Sequence, residues 1–590
     1  MLVNRDQPQH ALQQLKLLEP RLLGFAGGQL HTTLREQVRR NFLLSQTSFQ
    51  DVVFTLAIQH KDLPAFHVFA AEVLLRWKQV QRDEDAYLAG LIRTSKDAVV
   101  IRLGQEIRDL RRDISHQTHI SPGDPESLRA KHRALDDKEV ELARHSPHCK
   151  RLRVMPGLQL NDVRTHLPQG SALLDLRVYN PVDFKTGKLK ALHWLALLLP
   201  AATRDEQALW LHDLGPVAEN AQLWEALRQR DASETPPWEE LLFTAESAQL
   251  WEALRQRDAH KAAAQLYRYL FGLADVRSRH FKTLYIAPDG FLHLVPLARL
   301  VLPDGRYWME RQTLRQLQTG RDLLPDAMDK SPVAGLLALG GIDYDHFEGE
   351  TTVMADPQQH ETQRQLMDAI GPFRPLSHSG TEAEDITEYY WDDYESKVDI
   401  WQGRDASETR LKALAIPPRV LHLATHGFYL SPEASVERPM TLSGLALAGA
   451  NQGRQGHLSA SGDDGILYAL EVQQLNLEGT ELVALSSCYT GQGTVDYTEG
   501  VYGLVRAFRV AGARRVLMTL WTVDDTYTRT FMLRFYANWL APVRLDLNPN
   551  RDPVIALQQT RLEFLTDKDP ALREPRVWAP YVLVETSAGR

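Results

Sequence analysis

The runs Arg419-Val-Leu-His-Leu-Ala-Thr-His426-Gly427 and Glu481-Leu-Val-Ala-Leu-Ser-Ser-Cys488 decide the fold of this chain. Each is a short apolar stretch that stops on a reactive side chain, a pattern typical of a buried parallel strand. The carboxyl ends of such strands meet at one rim of an α/β sheet, where ligands and chemistry collect. A lone His or Cys is usually structural. One of each at matching strand ends indicates a functional site.

The segment after Cys488 predicts the rest of a βαβ unit. A glycine-punctuated loop follows the cysteine, then a helix that stops at Gly512, then the apolar strand Arg515-Val-Leu-Met-Thr-Leu-Trp521. Strand, loop, helix and strand form a right-handed βαβ unit with Cys488 at its open end. The apolar stripe of the helix consists of Val501, Leu504, Val505 and Phe508.

These motifs resemble those of the CHAT proteases, caspase-like cysteine peptidases related to separase. The resemblance rests on the LHLATHG run ending at Gly427, the LSSCYTGQG run around Cys488, the EGVYGLVRAFRVAGARRV helix and the LWTVDD strand end. It covers most of the chain, with weaker matches at residues 73–78 and 167–174. Further matching runs are Leu284-Tyr-Ile-Ala-Pro-Asp-Gly-Phe-Leu-His-Leu-Val-Pro296, Leu337-Ala-Leu-Gly-Gly-Ile-Asp-Tyr344, Gly380-Thr-Glu-Ala-Glu384 and Trp578-Ala-Pro-Tyr-Val-Leu583.

The organisation of the chain changes near residue 155. Residues 1–150 are rich in helix formers and predict an all-α region, without the period of about 34 residues that marks tetratricopeptide repeats. Later strands and helices alternate, which predicts an α/β architecture. The resemblance implies a caspase-like fold with parallel sheets flanked by helices, in which a degenerate subdomain at 151–330 precedes an active subdomain at 331–590. The apolar runs of 331–590 predict the strands of a second sheet. Residues 218–274 predict a helical insertion that contains two near-identical copies, 218–232 and 245–259.

The chemistry of a thiol nucleophile needs few parts. Only a small fraction of a free thiol is ionised at neutral pH, so an adjacent imidazole must lower its pKa or accept its proton. We expect Cys488 to be the nucleophile and His426 the general base and acid, a pair that the resemblance also implies. The backbone N–H groups of Gly427 and Cys488 are the expected oxyanion donors. The sequence identifies no third catalytic carboxylate, and in caspase-like enzymes a backbone carbonyl can orient the imidazole.

Asp525 follows the strand that ends in LWTVDD and has two interpretations. In the separases an aspartate at the end of the matching LW-x-V-x-D motif recognises a basic P1 side chain, so the resemblance implies substrate binding by Asp525. Alternatively, Asp524 and Asp525 end the strand and cap a helix that starts at Thr526. Both interpretations remain open at the level of sequence.

A metal site is a weaker interpretation of the histidines. His422 and His426 are four residues apart, which on a helix would place both imidazoles on one face for zinc. On a strand the same spacing leaves them too far apart to share one ion. Neither Cys149 nor Cys488 belongs to a CxxC pair. We therefore expect neither a metal nor a cofactor.

Composition narrows the class of protein. At 590 residues the chain has room for about two to four domains. Its only cysteines, Cys149 and Cys488, are too few for a disulfide framework and predict a reducing compartment, the cytoplasm. The net charge of −9 argues against direct contact with nucleic acid. The N-terminus shows no leader pattern and the longest apolar stretch, 191–202, is too short to span a bilayer, so we expect no membrane contact.

Taken together, these patterns predict a cysteine endopeptidase that cuts specific protein substrates. The alternative is a pseudoprotease, a scaffold or adaptor that keeps the fold for protein binding without cleavage. The resemblance implies possible roles in bacterial defence or regulated cell death. Because no repeat array is visible, we expect either constitutive activity or control by an activating protein that docks on residues 1–150.

Overall fold

The N-terminal region is all helical and the remainder is α/β. The computed structural model describes residues 7–32, 36–119, 125–145, 157–202, 209–217, 259–325, 333–349, 353–354, 372–390, 397–429, 438–486, 494–496, 500–540 and 551–585. Within these ranges the predicted all-α N-terminal region and the predicted α/β architecture of the remainder are confirmed. The N-terminal helices are α1 (Pro8–Thr32), α2 (Glu36–Gln59), α3 (Pro64–Trp77), α4 (Val80–Thr94), α5 (Ala98–His119) and α6 (Pro125–Arg144).

The later helices pack around the sheet or connect its strands. They are α7 (Leu160–His166), α8 (Ala259–Ser278), α9 (Ser379–Asp385), α10 (Glu408–Lys412), α11 (Ala450–Gly453), α12 (Ala469–Val472), α13 (Leu504–Val510), α14 (Asp525–Leu540), α15 (Pro553–Leu565) and α16 (Pro575–Trp578). The predicted insertion at 218–274 overlaps α8. Its duplicated copies lie outside the described residues, apart from Ala259 at the end of the second copy.

The strands alternate with these helices along the chain. In order they are β1 (Ser171–Tyr179), β2 (Val182–Asp183), β3 (Lys188–Leu189), β4 (His193–Pro200), β5 (Trp210–Pro216), β6 (Thr283–Ala287), β7 (Thr313–Gln316), β8 (Leu336–Ile342), β9 (Val353–Met354), β10 (Val398–Gly403), β11 (Val420–Leu423), β12 (Gly427–Tyr429), β13 (Ser443–Ala446), β14 (His457–Leu458), β15 (Ile466–Tyr468), β16 (Leu482–Leu485), β17 (Thr494–Asp496), β18 (Gly500–Tyr502), β19 (Arg515–Thr519) and β20 (Tyr581–Glu585).

Eleven of the described strands form one continuous sheet in the order β10-β8-β11-β16-β19-β20-β7-β6-β1-β4-β5. The strands β10, β8, β11, β16 and β19 are parallel to one another. The strands β20, β7, β6 and β1 form a second parallel block. Because β19 and β20 pair antiparallel, the two blocks run in opposite directions.

The prediction of a separate second sheet is wrong. The last strand, β20, pairs on one side with β19 and on the other with β7, where Val584 lies opposite Gln316. Two separate sheets would leave β19 or β20 and β7 as edges with unpaired backbone groups. Joining the blocks removes those edges. A bidentate ion pair between Arg315 of β7 and Glu585 of β20 reinforces the junction, with N–O distances of 2.6 and 2.7 Å.

The helix after the Cys488 loop begins later than its apolar stripe predicts. Val501 belongs to the short strand β18, and α13 begins at Leu504. Gly503 between them has an extended backbone with φ 171°, which separates the two elements. The predicted stop is confirmed, because Gly512 adopts a φ of +108°, a left-handed conformation that favours glycine. The strands β16 and β19 on either side of α13 are parallel neighbours, as predicted.

Burial of both faces explains the continuous apolar strands. Along β1, Ala172, Leu174 and Leu176 join the larger core, whereas Leu173 and Tyr179 join a smaller core under the N-terminal helices. This alternation is the period of two of a strand covered on both sides. In β11 and β16 every residue is buried. The first polar groups free to meet solvent therefore come just after the strand ends.

Candidate active site

His426 stands three residues beyond the end of β11 and immediately before β12. The Ala424 N–H donates to the Leu339 carbonyl of β8 at 2.8 Å, so the chain stays in register with the sheet as it leaves β11. The Ala446 N–H of β13 donates to the His426 carbonyl at 2.9 Å. The backbone on either side of the imidazole is thus fixed by hydrogen bonds to two different strands.

The imidazole of His426 has a defined tautomer. Its Nε2 lies 2.7 Å from the carbonyl oxygen of Arg374. A carbonyl oxygen can only accept, so Nε2 carries the hydrogen and donates it. In the neutral ring Nδ1 is then the lone-pair nitrogen and the available base. The Arg374 carbonyl fills the orienting position for which the sequence offered no residue.

Aromatic rings cover the sides of the imidazole. The ring centroids of Tyr344 and Phe373 lie 5.3 and 5.7 Å from that of His426. Burial lowers the pKa of His426, while the hydrogen bond to Arg374 and the charge of Asp525 act in the opposite direction. The net direction is downward, so the imidazole is neutral at pH 7 and ready to accept a proton.

Residues 372–378, here called the strap, connect the imidazole to Asp525. The side chain of Asn451 forms two hydrogen bonds with the strap. Its Oδ1 accepts from the Phe373 N–H and its Nδ2 donates to the Phe373 carbonyl, both at 2.9 Å. At the other end, the His378 N–H donates to Asp525 Oδ2 at 2.6 Å. The strap therefore holds Arg374 in place for His426 and also fixes the carboxylate of Asp525.

Asp525 and Asp524 have different roles at the start of α14. The Oδ1 of Asp524 accepts from the Thr526 N–H at 2.9 Å, and its carbonyl accepts from the Thr528 N–H at the same distance. Asp524 is therefore the residue that caps the helix. The helix itself starts at Asp525, one residue earlier than the capping interpretation predicts. The carboxylate of Asp525 is half-buried, binds the strap and acts electrostatically on His426.

Gly427 presents its backbone N–H away from the neighbouring strand. It lies opposite Leu445 in the antiparallel pairing of β12 with β13. Since Ala446 donates to the carbonyl of His426, Gly427 and Leu445 form a non-hydrogen-bonded pair, whose N–H and C=O groups point to the far side. β12 is the edge strand of its small sheet. The Gly427 N–H is thus not used in the pairing with β13.

Cys488 lies outside the described residues. The strand that leads to it is described: β16 is parallel to β11, with Leu485 opposite Leu423. The next residue, Ser486, continues this register, because its N–H donates to the Leu423 carbonyl at 3.0 Å. In the sequence, His426 comes three residues after Leu423 and Cys488 three residues after Leu485.

His422 lies beneath the site and contacts different residues from His426. It is fully buried in β11, with Nδ1 3.2 Å from the hydroxyl of Tyr536 and Nε2 3.0 Å from Glu382 Oε1. Glu382 belongs to α9, which follows the strap, and Tyr536 to α14, which starts at Asp525. We call these three residues the buried triad. It ties together the elements that carry His426, the strap and Asp525.

Two expectations, on metals and on membranes, remain, together with two residues that the sequence did not predict. Among the described residues, no three His, Cys, Asp or Glu side chains are grouped as metal ligands. None of the described helices has both the length and the apolar character needed to cross a bilayer. Sequence reasoning missed Arg374 and Asn451. Arg374 acts through a backbone carbonyl that any residue possesses, so no sequence signal marks it.

Among known protein families, one matches this chain. The family model for the CHAT domain matches residues 260–586, more than half of the chain. A search of curated proteins gives no significant match.

A search of solved structures gives several matches. The chain is 11% identical to the Saccharomyces cerevisiae separase–securin complex solved at 2.6 Å, over 98% of this chain and 41% of that chain, with a TM-score of 0.41. The same complex solved at 3.0 Å is 10% identical over 98% of this chain and 40% of that chain, with a TM-score of 0.43. The Arg-specific cysteine proteinase gingipain R is 8% identical over 63% of this chain and 74% of that chain, with a TM-score of 0.31. The chain thus spans about two fifths of the separase chains.

Proposed function

Because the chain belongs to the CHAT domain family, we propose that it is a caspase-like cysteine endopeptidase that cuts one or a few protein substrates. The observation that carries the proposal is the register of two neighbouring parallel strands, with Leu423 of β11 opposite Leu485 of β16. His426 and Cys488 follow these residues at equal distance in the sequence. Because equal offsets from paired residues of parallel strands lead to the same rim of a sheet, this register supports the pairing of His426 with Cys488.

The proposed reaction uses the two groups as a dyad. Nδ1 of His426 takes the proton from Cys488 Sγ, and the thiolate attacks the carbonyl carbon of the scissile peptide. The same nitrogen then gives the proton to the leaving amine, and a thioester forms. Water, deprotonated by Nδ1, hydrolyses the thioester and restores the thiol. The hydrogen bond from Nε2 to Arg374 supports this assignment, because it leaves Nδ1 as the base.

The oxyanion of each tetrahedral intermediate requires fixed donors. We assign this role to the backbone N–H groups of Gly427 and Cys488. The non-hydrogen-bonded pairing of Gly427 with Leu445 supports the first donor, since its N–H is not used by β13. The absent side chain of Gly427 also lets a substrate carbonyl approach the backbone.

Asp525 is the proposed specificity residue for a basic P1 side chain. Its carboxylate is held by the His378 N–H and lies close enough to His426 to oppose, in part, the lowering of that residue's pKa by burial. Asp524 already caps α14, so the structure does not need Asp525 for that purpose. A substrate Arg or Lys would form a charge-assisted contact with the remaining carboxylate oxygen.

The N-terminal helices are the proposed docking region for an activating protein. They contact α13, the helix after the Cys488 loop: Arg506 Nη2 lies 3.0 Å from Asp85 Oδ2 of α4, and Arg93 Nη2 donates to the Val510 carbonyl at 3.3 Å. A partner bound to α4 would therefore act one helix away from the cysteine. An activity that appears only when a partner is added would support this regulation. Full activity after deletion of residues 1–45 would restrict the docking region to the helices that remain.

The proposed setting is the cytoplasm, since the chain has only two cysteines. By analogy with the family, the proposed biological role is bacterial defence or regulated cell death. Mass spectrometry of peptides released from a cell lysate tests the activity. We expect specific new termini with the native chain and none with the Cys488→Ala variant. Identical peptide sets from the two proteins would favour the alternative, a catalytically silent scaffold.

A further inference from the structure

A small cavity lies at the junction of the two strand blocks, away from the candidate active site. Its volume is about 30 Å³, and it lies between the β6, β7 and β20 strands on one side and α15 on the other. Most of its lining is aliphatic, including Ile286, Leu557 and Val582. The polar side chains that line it are Arg315, Gln316, Gln558 and Arg561.

Arg561 is a buried cation without a carboxylate partner among the described residues. Only 7% of the residue is exposed. One Nη2–H donates to the Tyr581 carbonyl, and Nε has no hydrogen-bond partner within the described part of the chain. Burial lowers the pKa of this guanidinium to about 9, which still leaves it charged at neutral pH. A buried charge of this kind requires compensation.

The other polar groups of the lining divide into satisfied and unsatisfied donors. Arg315 is paired with Glu585 and Asp552, which engages both nearby carboxylates. The amide of Gln558 donates to the Met309 carbonyl and accepts from the Thr313 hydroxyl. The amide nitrogen of Gln316, by contrast, is buried with no partner in the described ranges. Two free donors, one of them charged, therefore line the same cavity.

We propose that this cavity binds one small monovalent anion, a halide or a short carboxylate, between Arg561 and Gln316. The volume suffices for an ion of about the size of a water molecule or slightly larger, because a cavity needs roughly 10–15 Å³ to hold one water. It is too small for a nucleotide. Bound there, the anion would compensate the guanidinium of α15 and reinforce β7 at Gln316, the residue paired with β20.

Thermal unfolding at constant ionic strength tests the site. Chloride, bromide or formate replaces gluconate, which is too large for the cavity, and we expect a saturable rise in Tm of about 1–3 °C for the native chain. The difference between the halide and formate titrations identifies which ion binds more tightly. Arg561→Met should abolish the dependence on the anion. The matched control Arg573→Met changes an exposed arginine and should keep it.

A direct measurement covers the case in which Arg561→Met does not fold. Crystals of the native chain grown in bromide should give an anomalous peak within the cavity, in contact with Arg561 and Gln316. The Gln316→Leu variant should need several-fold more bromide for the same rise in Tm. Equal Tm values of the native chain in all anions, or a cavity that contains water alone in the bromide crystals, would overturn the proposal.

Discussion

The carboxyl ends of β1 and β6 lie at the opposite rim of the sheet from those of β11 and β16, because the two blocks run in opposite directions. At the rim of β1 and β6, here called the closed rim, a lysine is buried and paired. Lys78, just after α3, is buried there, and its Nζ binds Asp175 Oδ1 at 2.7 Å and the Leu176 and Ala287 carbonyls at 2.8 and 3.0 Å.

At the rim of β11 and β16, here called the open rim, the described groups are held in place but remain available. The His426 ring is fixed at Nε2 and keeps Nδ1 free by its tautomer, and the Gly427 N–H points away from its neighbouring strand. The comparison shows how one sheet serves two purposes. Lys78 of the N-terminal region closes one rim with a buried ion pair, which favours stability, whereas the other rim carries His426, a member of the proposed dyad.

The largest expected effect is the loss of cleavage on removing either member of the dyad. Cys488→Ala and His426→Ala should each lower kcat by about 10³-fold or more, because members of a catalytic unit fail together. Both variants should unfold at the same urea concentration as the native chain. Peptide hydrolysis and urea denaturation measure the two properties. Undiminished turnover by Cys488→Ala would contradict the proposed assignment of the open rim.

A substitution at the closed rim should lower the stability of the protein. Lys78→Met leaves the carboxylate of Asp175 buried without its cation, and we expect the free energy of unfolding to fall by about 3–5 kcal/mol. Urea denaturation followed by circular dichroism measures it. The control Lys185→Met changes an exposed lysine and should cost less than about 0.5 kcal/mol. A Lys78→Met protein of native stability would remove the contrast between the rims.

Asp525 should determine the P1 preference. A half-buried carboxylate facing an apolar P1 side chain loses its solvation, so we expect roughly a hundredfold preference for Arg or Lys at P1. A P1-varied peptide library compares the native chain with Asp525→Ala, which should lose the preference. The control Asp524→Ala removes the helix cap, at a cost of about 1 kcal/mol in stability, and should keep the ranking. An apolar or acidic preference in the native enzyme would make Asp525 structural.

The buried triad should act on activity through position. His422→Phe removes the contacts with Glu382 and Tyr536, and we expect kcat to fall about tenfold to a hundredfold with little change in KM, because small displacements of the dyad are costly. His422→Gln should restore part of the loss. The control His457→Phe changes a half-buried histidine of β14 and should be neutral. Native kcat in His422→Phe would show that the triad only stabilises the fold.

Local patterns predicted the elements well and long-range contacts poorly. The strand at Tyr581–Glu585, the stop at Gly512 and the place of His426 just beyond a buried strand follow from apolar runs and glycine. The joining of β20 to β7 does not, because pairing across the whole sheet leaves no local signal. The Arg374 carbonyl and the grip of Asn451 on the strap were missed for the same reason. The position of Cys488 stays a prediction.

The most direct test of the dyad is alkylation by a peptidyl electrophile with Arg at P1. The chain has only two cysteines, so Cys149 serves as an internal control for the reactivity of Cys488. We predict labelling at Cys488 alone and its loss in His426→Ala. Labelling should persist as the pH falls below the ordinary histidine range, because burial lowers the pKa of His426, and should fade only as the pH passes that lowered pKa. Equal labelling of both cysteines, or native labelling in His426→Ala, would contradict the account.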